Sequence, residues 1–212
     1  DFGNTDFIPM FTAENFDAAA WAKLFQEAGL KYVVPVAEHH DGFPMYACQF
    51  TQWDASEMGP KRDVTGELAA ALRKRGMKLI TTFHHARHLQ RYDEPLKEEG
   101  FKGGNRVNSG SHYPFFEGMP PTSEDPKLRM LYGNVPEDEW LEEVWLGKLK
   151  EVINKYQPDM IWFDSWLDRI PEEYRKRFCA YYLNEAAKWD KEVVILRKQD
   201  DLPLNFTSLD HE

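Results

Sequence analysis

The stretch KYVVPVAEHHDGF, residues 31–43, joins an apolar run to four consecutive titratable side chains. Valine and tyrosine favour extended backbone, so the apolar half predicts a buried β-strand. The second half places Glu38, His39, His40 and Asp41 directly after that strand. Charged groups at the end of a buried strand need partners or a task, so this stretch is the first candidate for a functional site.

A helix followed by a strand recurs along the chain. Apolar residues repeat at helical spacing ahead of each apolar run, and Gly29 and Gly76 end the first two helices. The predicted helices are residues 16–29, 64–75, 141–156 and 171–189, and the predicted strands are residues 31–36, 77–83, 158–166 and 192–198. Strands that alternate with helices pair in parallel through right-handed crossovers, which predicts an α/β fold.

Two parallel architectures fit this order, a β/α barrel and an open doubly wound sheet. No glycine-rich phosphate fingerprint follows any strand, whereas chemically active side chains lie at the end of every strand. They are EHHD at 38–41, HHARH at 84–88, Asp164, and RKQDD at 197–201. This placement is typical of β/α-barrel enzymes. A closed barrel needs eight units and about four are visible, so we expect a single, incomplete TIM-like β/α barrel over residues 1–212.

One connection is far longer than the others. Residues 86–135 contain several glycines and prolines and follow no sustained period. Connections of this length are uncommon and are often functional, so we expect a long excursion loop that lies over the site.

The composition limits the possible partners. Lys and Arg total 26 against 36 Asp and Glu, and the net charge of -10 would repel a nucleic-acid backbone. No apolar stretch reaches the ~20 residues of a membrane-spanning helix, and the N-terminus lacks the features of a signal peptide. Cys48 and Cys179 form neither a metal motif nor a disulfide framework. Aromatic residues make up 14% of the chain, which slightly favours a carbohydrate ligand.

The clustered histidines and carboxylates fit two chemistries. His39, His40, His84 and Asp41 could ligate a divalent metal that activates water. Alternatively, neutral histidines could bind the hydroxyls of a sugar while two carboxylates carry out its hydrolysis. Composition does not separate the two, although adjacent histidines are a poor metal signature because both rings rarely reach one ion.

Asp164 also has two interpretations. It follows Ile161, Trp162 and Phe163, so it could lie at the mouth of an aromatic pocket where a partner charge or hydrogen bonds keep it ionised. It could instead cap the next helix. The nearby Trp162 and Trp166 favour the first interpretation, because aromatic walls suit a sugar site.

Three stretches carry a specific resemblance. They are FTAENFDAAAWAKLFQEAGLKYVVPVAEHHDGFPMY at 11–46, MGPKRDVTGELAAALRKRGMKLITTFHHARH at 58–88 and PDMIWFDSW at 158–166. Together they closely resemble the α-L-fucosidases of glycoside hydrolase family 29, over about residues 7–166 and more loosely to the end. The resemblance implies a β/α barrel, followed in other members by a C-terminal β-sandwich that is not expected within residues 1–212. It also implies retaining hydrolysis of terminal α-L-fucosyl linkages through a covalent glycosyl-enzyme.

The same resemblance implies roles for single residues. Asp164 would be the nucleophile and Glu212 the general acid/base. Substrate binding is implied for His39, His40, His84, Trp162 and Arg197, and a supporting role that fixes ring orientation for Glu38 and Asp41. Neither a metal nor a cofactor is implied.

The implied partner is a fucosylated oligosaccharide or glycoconjugate, with neither nucleic acid nor a membrane. The resemblance also implies a periplasmic, secreted or lysosomal location. Two alternatives remain: a metal-dependent hydrolase that uses His39, His40, His84 and Asp41, and a catalytically incomplete fucose-binding fragment.

Overall fold

The computed structural model describes residues 4–86, 130–131, 135–164, 167, 170–198, 201–203, 205 and 207–209. Its helices are α1 (Asn4–Phe7), a 3-10 turn (Ile8–Met10), α2 (Ala18–Glu27), α3 (Val64–Arg73), α4 (Glu137–Glu139), a π-helix (Trp140–Gly147), α5 (Lys148–Tyr156) and α6 (Glu172–Lys188). Its strands are β1 (Tyr32–Val33), β2 (Val36–Glu38), β3 (Lys78–Phe83), β4 (Met160–Phe163), β5 (Val194–Arg197) and β6 (Ser208–Leu209). None of the helices in these ranges is long and apolar enough to cross a membrane.

The strands form one parallel sheet. Its order is β1-β3-β4-β5-β6, and β2 also pairs with β3. The predicted α/β class with a parallel sheet is confirmed, and so is the succession of four helix-then-strand units. The short strand β6 was not predicted. The excursion expected at 86–135 and the acid/base candidate Glu212 lie largely or wholly outside the described residues.

The first predicted strand is divided into β1 and β2. Tyr32 of β1 lies opposite Lys78 at the start of β3, and Val36 of β2 lies opposite Thr82 near its end. Pro35, between them, has no N–H to donate, but its carbonyl accepts a hydrogen bond from the Thr82 N–H at 3.2 Å. The two pieces are therefore one interrupted strand.

The prediction that this strand is buried is wrong. Tyr32, Val34 and Val36 are 55%, 39% and 39% exposed. The reason is topological: in the described sheet β1 and β2 pair on one side only, with β3, so they form its edge. Burial becomes complete only at the next two residues, Ala37 and Glu38.

An irregularity in β2 decides which way its last residue points. Val36 lies opposite Thr82, yet Glu38 lies opposite the very next residue of β3, Phe83. One extra residue of β2 therefore faces a single step of β3, as in a β-bulge. In an unbroken ladder Glu38 would be level with His84 and on its side of the sheet. The bulge turns Glu38 to the opposite face, which is the face of Phe83.

Aspartates begin the first two helices that pack on the sheet. At the start of α2, Asp17 Oδ1 accepts hydrogen bonds from the N–H groups of Ala19 and Ala20, both at 2.9 Å. At the start of α3, Asp63 Oδ1 accepts one from the Gly66 N–H at 2.8 Å. These caps satisfy N–H groups that have no partner inside the helix.

Aromatic rings join the helices to one face of the sheet. The ring centroid of Phe163 in β4 lies 6.4 Å from that of Trp145 in the π-helix and 5.1 Å from that of Phe178 in α6. All three side chains are fully buried, as are Phe83 and Tyr182. This face of the sheet therefore faces the hydrophobic core.

The third predicted helix is irregular. It begins at Glu137, four residues before the predicted start, and its middle part, Trp140–Gly147, is a π-helix with a wider turn. At the end of this segment Gly147 packs against a ring: a Cβ added to Gly147 would lie 2.7 Å from Phe50 Cζ. The helix can therefore approach Phe50 this closely only because residue 147 lacks a side chain.

Replacing Gly147 with alanine should destabilise the protein by about 1 kcal/mol in urea unfolding, because the overpacking cost exceeds the higher helix propensity of alanine. Replacing Phe50 with leucine removes the ring atom that the new methyl group would meet. In the Phe50→Leu background, Gly147→Ala should therefore become neutral or stabilising. Equal destabilisation in both backgrounds would contradict the packing argument.

Candidate active site

The register of the sheet arranges side chains in rows. Phe83, Phe163 and Arg197 lie opposite one another on β3, β4 and β5, and the two phenylalanines belong to the buried core. Successive residues of a strand point to opposite faces, so the three residues that follow point away from this core. That next row consists of His84, Asp164 and Lys198.

The carboxylate of Asp164 lies at the centre of this row. His84 Nε2 lies 2.8 Å from Asp164 Oδ2, and Lys198 Nζ donates to Asp164 Oδ1 at 2.5 Å. The Asp164 side chain is 27% exposed, so it is held by two partners and still open to solvent. This arrangement is expected of a functional carboxylate at the end of a strand, and it favours that interpretation of Asp164 over a helix cap.

The surroundings keep Asp164 ionised. Partial burial raises the pKa of Asp164, but the hydrogen bonds and charges of Lys198 and His84 outweigh burial and leave the pKa below its usual value. An ionised carboxylate can only accept hydrogen bonds, so His84 Nε2 carries the hydrogen in this contact.

Three imidazole rings gather beside this carboxylate. The His39 ring centroid lies 3.8 Å from that of His40 and 4.3 Å from that of His84. The β2 bulge explains this meeting, because it brings His39 level with His84 at the edge of the sheet. The sequence predicts that the histidine pairs of two neighbouring strands meet, and this is confirmed for His39, His40 and His84. His85 instead contacts the Trp145 carbonyl oxygen on the helix side.

Trp162 forms an aromatic wall on the same face. Its ring meets the His84 ring edge-on at 6.3 Å, and Lys198 Nζ lies 6.0 Å from the centre of the Trp162 ring. The cation, the carboxylate, the imidazole and the indole therefore surround one small region at the carboxyl ends of β3, β4 and β5.

Arg197 lies on the other face. It is 2% exposed, and its Nε donates to Thr207 Oγ1 at 3.1 Å. The cation that contacts Asp164 is Lys198, so the predicted role of Arg197 as a substrate-binding residue does not agree with the direction in which its strand points it. The alternation of side chains along β5 could have identified Lys198 from the sequence, because Arg197 follows the buried Ile195 at a spacing of two.

Glu38 and Asp41, predicted to fix the orientation of the histidine rings, form hydrogen bonds with other groups. Glu38 Oε1 accepts from Lys148 Nζ at 2.7 Å, and Asp41 Oδ1 accepts from the Phe43 N–H at 3.0 Å within the following turn. Burial raises the pKa of Glu38 to about 7, against the opposing effect of Lys148. Nothing in the sequence pattern pointed to Lys148 as the partner of Glu38.

The residues of the metal alternative do not form a ligand set. His39, His40, His84 and Asp41 all lie in the described ranges, within which no three His, Cys, Asp or Glu side chains are arranged to hold a metal ion. The rings of His39 and His40 pack against each other instead of converging on one point. The geometry favours recognition by hydrogen bonds over coordination.

Sequence and structure comparisons identify relatives of this chain. The model of the family described as alpha-L-fucosidase matches residues 1–210. The chain belongs to the alpha-L-fucosidase family. Among its curated relatives, the tissue alpha-L-fucosidase of Rattus norvegicus is 32% identical over 197 residues, which cover 91% of this chain and 35% of the relative. The plasma alpha-L-fucosidase of Homo sapiens is 30% identical over 189 residues, covering 87% of this chain and 33% of the relative.

Solved alpha-L-fucosidase structures share the fold. The alpha-fucosidase of Thermotoga maritima in complex with a mechanism-based inhibitor has a TM-score of 0.65 at 26% identity, covering 96% of this chain and 40% of that one. AlfC from Lactobacillus casei, in complex with its α-L-fucose product, has a TM-score of 0.65 at 20% identity, covering 92% of this chain and 56% of that one, and supports the fold alone. The chain spans about a third of the length of the curated alpha-L-fucosidases it matches.

In this alpha-L-fucosidase family member, replacing Lys198 with methionine should raise the pKa of Asp164, because a charge-assisted hydrogen bond to the ionised form is lost. The carboxylate would then be protonated at a higher pH as the solution is acidified. Carboxyl ¹³C NMR titration measures the change. Lys191→Met is the control, since Lys191 pairs with Asp159, not with Asp164. An Asp164 titration that does not move in Lys198→Met would contradict the assignment.

Proposed function

We propose that this chain carries the catalytic centre of a retaining α-L-fucosidase, in which Asp164 is the nucleophile. The observation that carries the proposal is the Asp164 carboxylate, held ionised by Lys198 and His84 beside an aromatic wall at the strand ends. Membership of the alpha-L-fucosidase family supports the same conclusion. The parallel sheet and its helix-strand order support a TIM-like β/α barrel as the fold of the catalytic domain.

A carboxylate nucleophile must be ionised and within reach of the sugar. Asp164 meets the first condition because Lys198 and His84 lower its pKa, and the second because more than a quarter of its side chain is exposed. Each carboxylate oxygen has lone pairs beyond the one that accepts from its neighbour. In the proposed reaction one oxygen attacks the anomeric carbon and forms a glycosyl ester, which water then hydrolyses with net retention.

The histidine rings provide the means to recognise a sugar. An imidazole ring has two nitrogens that donate hydrogen bonds or, where unprotonated, accept them, which suits the hydroxyl groups of a pyranose. The His39 ring contacts those of His40 and His84, and His84 contacts Asp164. The three rings would therefore hold the hydroxyls while the anomeric carbon faces the carboxylate. Trp162 would pack against the apolar C–H side of fucose.

The leaving group needs a proton, and Glu212 is the proposed donor. A retaining mechanism uses a second carboxyl group about 5 Å from the nucleophile, first as acid and then as base. Glu212 lies outside the described residues, so its assignment depends on the sequence resemblance. Glu38 is not a substitute: its pKa is raised to about 7, but its side chain is fully buried on the opposite face.

Fucosylated oligosaccharides or glycoconjugates are the proposed substrates. A solved relative supports this class, because the Thermotoga maritima alpha-fucosidase is known in complex with fucose. Family membership supports a substrate with an α-linked terminal fucose, and the proposed mechanism requires a leaving oxygen that faces the second carboxyl group.

Replacing Asp164 with alanine should lower turnover of an aryl α-L-fucoside by about 10³-fold or more, since the nucleophile is removed. Added azide should then restore release of the aryl alcohol and yield fucosyl azide of inverted configuration, which NMR identifies. Glu142→Gln, on the outer surface of the π-helix, is the matched control and should keep wild-type turnover. Full activity of Asp164→Ala would end the proposal, and fucose binding without turnover in the wild type would identify a binding fragment.

Replacing Glu212 with glutamine should slow substrates with poor leaving groups far more than activated aryl fucosides, because only the former need protonation. The measurement is kcat/KM for a series of fucosides whose leaving groups differ in pKa. A steeper dependence on leaving-group pKa supports Glu212 as the acid. An unchanged dependence would exclude it and leave the role of Asp164 intact.

A further inference from the structure

On the helix side of the sheet, one short helical segment contacts the ends of both strands, β2 and β3, that lead into the histidine cluster. Lys148 Nζ donates to Glu38 Oε1 at 2.7 Å, and Glu38 directly precedes His39. His85 Nε2 lies 3.2 Å from the Trp145 carbonyl oxygen, and His85 directly follows the site residue His84. The segment from Trp145 to Lys148 therefore contacts the residue next to a site histidine on two neighbouring strands.

We propose that Lys148 is a positioning residue of the active site: its ion pair with Glu38 fixes the end of β2 and thereby holds His39 and His40 against His84 and Asp164. This inference rests on the proposed fucosidase function for the meaning of the histidine cluster. Lys148 itself touches neither the substrate region nor the reacting carboxylate, since it lies on the helix side of the sheet.

Burial makes this pair a poor source of stability. Both Lys148 and Glu38 have no exposed surface, so each charge has lost its hydration. The desolvation of a buried pair often exceeds its attraction, and apolar side chains of similar volume are often as stable or more stable. Glu38 Oε2 also has no hydrogen-bond partner among the described residues. Because desolvation offsets the attraction between Lys148 and Glu38, a geometric role suits this pair better than a stabilising one.

Two irregular backbone segments meet at this contact. The bulge in β2 turns Glu38 towards the helices, and the π-helix ends at Gly147, immediately before Lys148. Each extra residue in a helical turn changes the direction of the side chains that follow, so the π-helix sets the direction of Lys148. Bulges and π-turns occur often beside functional sites, where they re-aim a side chain. Here both bring the two ends of one ion pair together.

The neighbouring His85 acts on the second strand. Burial and the nearby positive charge of Lys148 lower the pKa of His85 to about 3, so the ring is neutral at physiological pH. The Trp145 carbonyl only accepts hydrogen bonds, so His85 Nε2 carries the ring hydrogen and donates it. The end of β3 is thereby tied to the same helical segment as the end of β2.

The test uses the full chain with both charges removed at similar volume, Glu38→Gln/Lys148→Met. We expect a urea unfolding midpoint near that of the wild type and a kcat/KM for an aryl fucoside at least tenfold lower per folded molecule. The imidazole signals of His39 and His40 should change their chemical shifts in ¹H–¹⁵N spectra. The exchanged pair, Glu38→Lys/Lys148→Glu, should recover part of the activity. Wild-type kcat/KM and histidine signals in the double variant would overturn the inference.

The matched control removes the pair on the outer side of the same helical stretch, Glu142→Gln/Arg177→Met. Arg177 NH2 lies 2.6 Å from Glu142 Oε1 in the wild type, and this pair is partly exposed. Its loss should leave kcat/KM and the imidazole signals unchanged. A control that moves the signals as strongly as the double variant would reduce Lys148 to a general structural role.

Two further arms keep the result decisive. If the double variant does not fold, Glu38→Asp keeps the charges and withdraws the carboxylate by one methylene; we expect a several-fold loss of kcat/KM, and no loss would overturn the inference. If the wild type does not cleave fucosides, the proposed function fails, while the imidazole signals still report whether Lys148 positions the rings.

Discussion

The parallel register across β2, β3, β4 and β5 is the constraint on which the rest of the structure depends. Hydrogen bonds between neighbouring strands fix which residues lie opposite one another. At the carboxyl ends of the strands, opposite residues therefore point to the same face of the sheet. One row of side chains enters the aromatic core, and the next row brings Asp164 between His84 and Lys198. A slip of one residue in β5 would exchange Arg197 and Lys198 and remove the cation from the carboxylate.

Two carboxylates show how surroundings divide roles in this sheet. Asp164 is partly exposed and has two donors, so its pKa lies below the usual value and it is ready to act as an anion. Glu38 is enclosed, and burial raises its pKa to about 7 despite Lys148. A raised pKa would suit a general acid, but Glu38 points into the helix side. Its direction, more than its pKa, therefore separates Glu38 from the region beside Asp164.

Local pattern was sufficient for much of the fold and part of the site. The helix-strand order could be predicted because apolar spacing is a property of short segments, and Asp164 could be singled out because it ends an aromatic strand. The exposure of Tyr32 could not be predicted, because the sequence of an apolar strand is the same whether it lies at the edge of a sheet or in its middle. Lys148 could not either: a lysine in an amphipathic helix suggests solvent, and its partner Glu38 is 110 residues away in the chain.

The amino-acid sequence was enough for the α/β class, the succession of helices and strands, and the titratable groups that end each strand, because these follow from periodicity and from neighbours in the chain. Only the folded protein determines which of two neighbouring residues at a strand end faces the candidate site. The β2 bulge sends Glu38 to the core and His39 to the cluster, and the register of β5 chooses Lys198 over Arg197. The physical reason is that side-chain direction alternates at every residue, so one step of register, which no short segment encodes, reverses it.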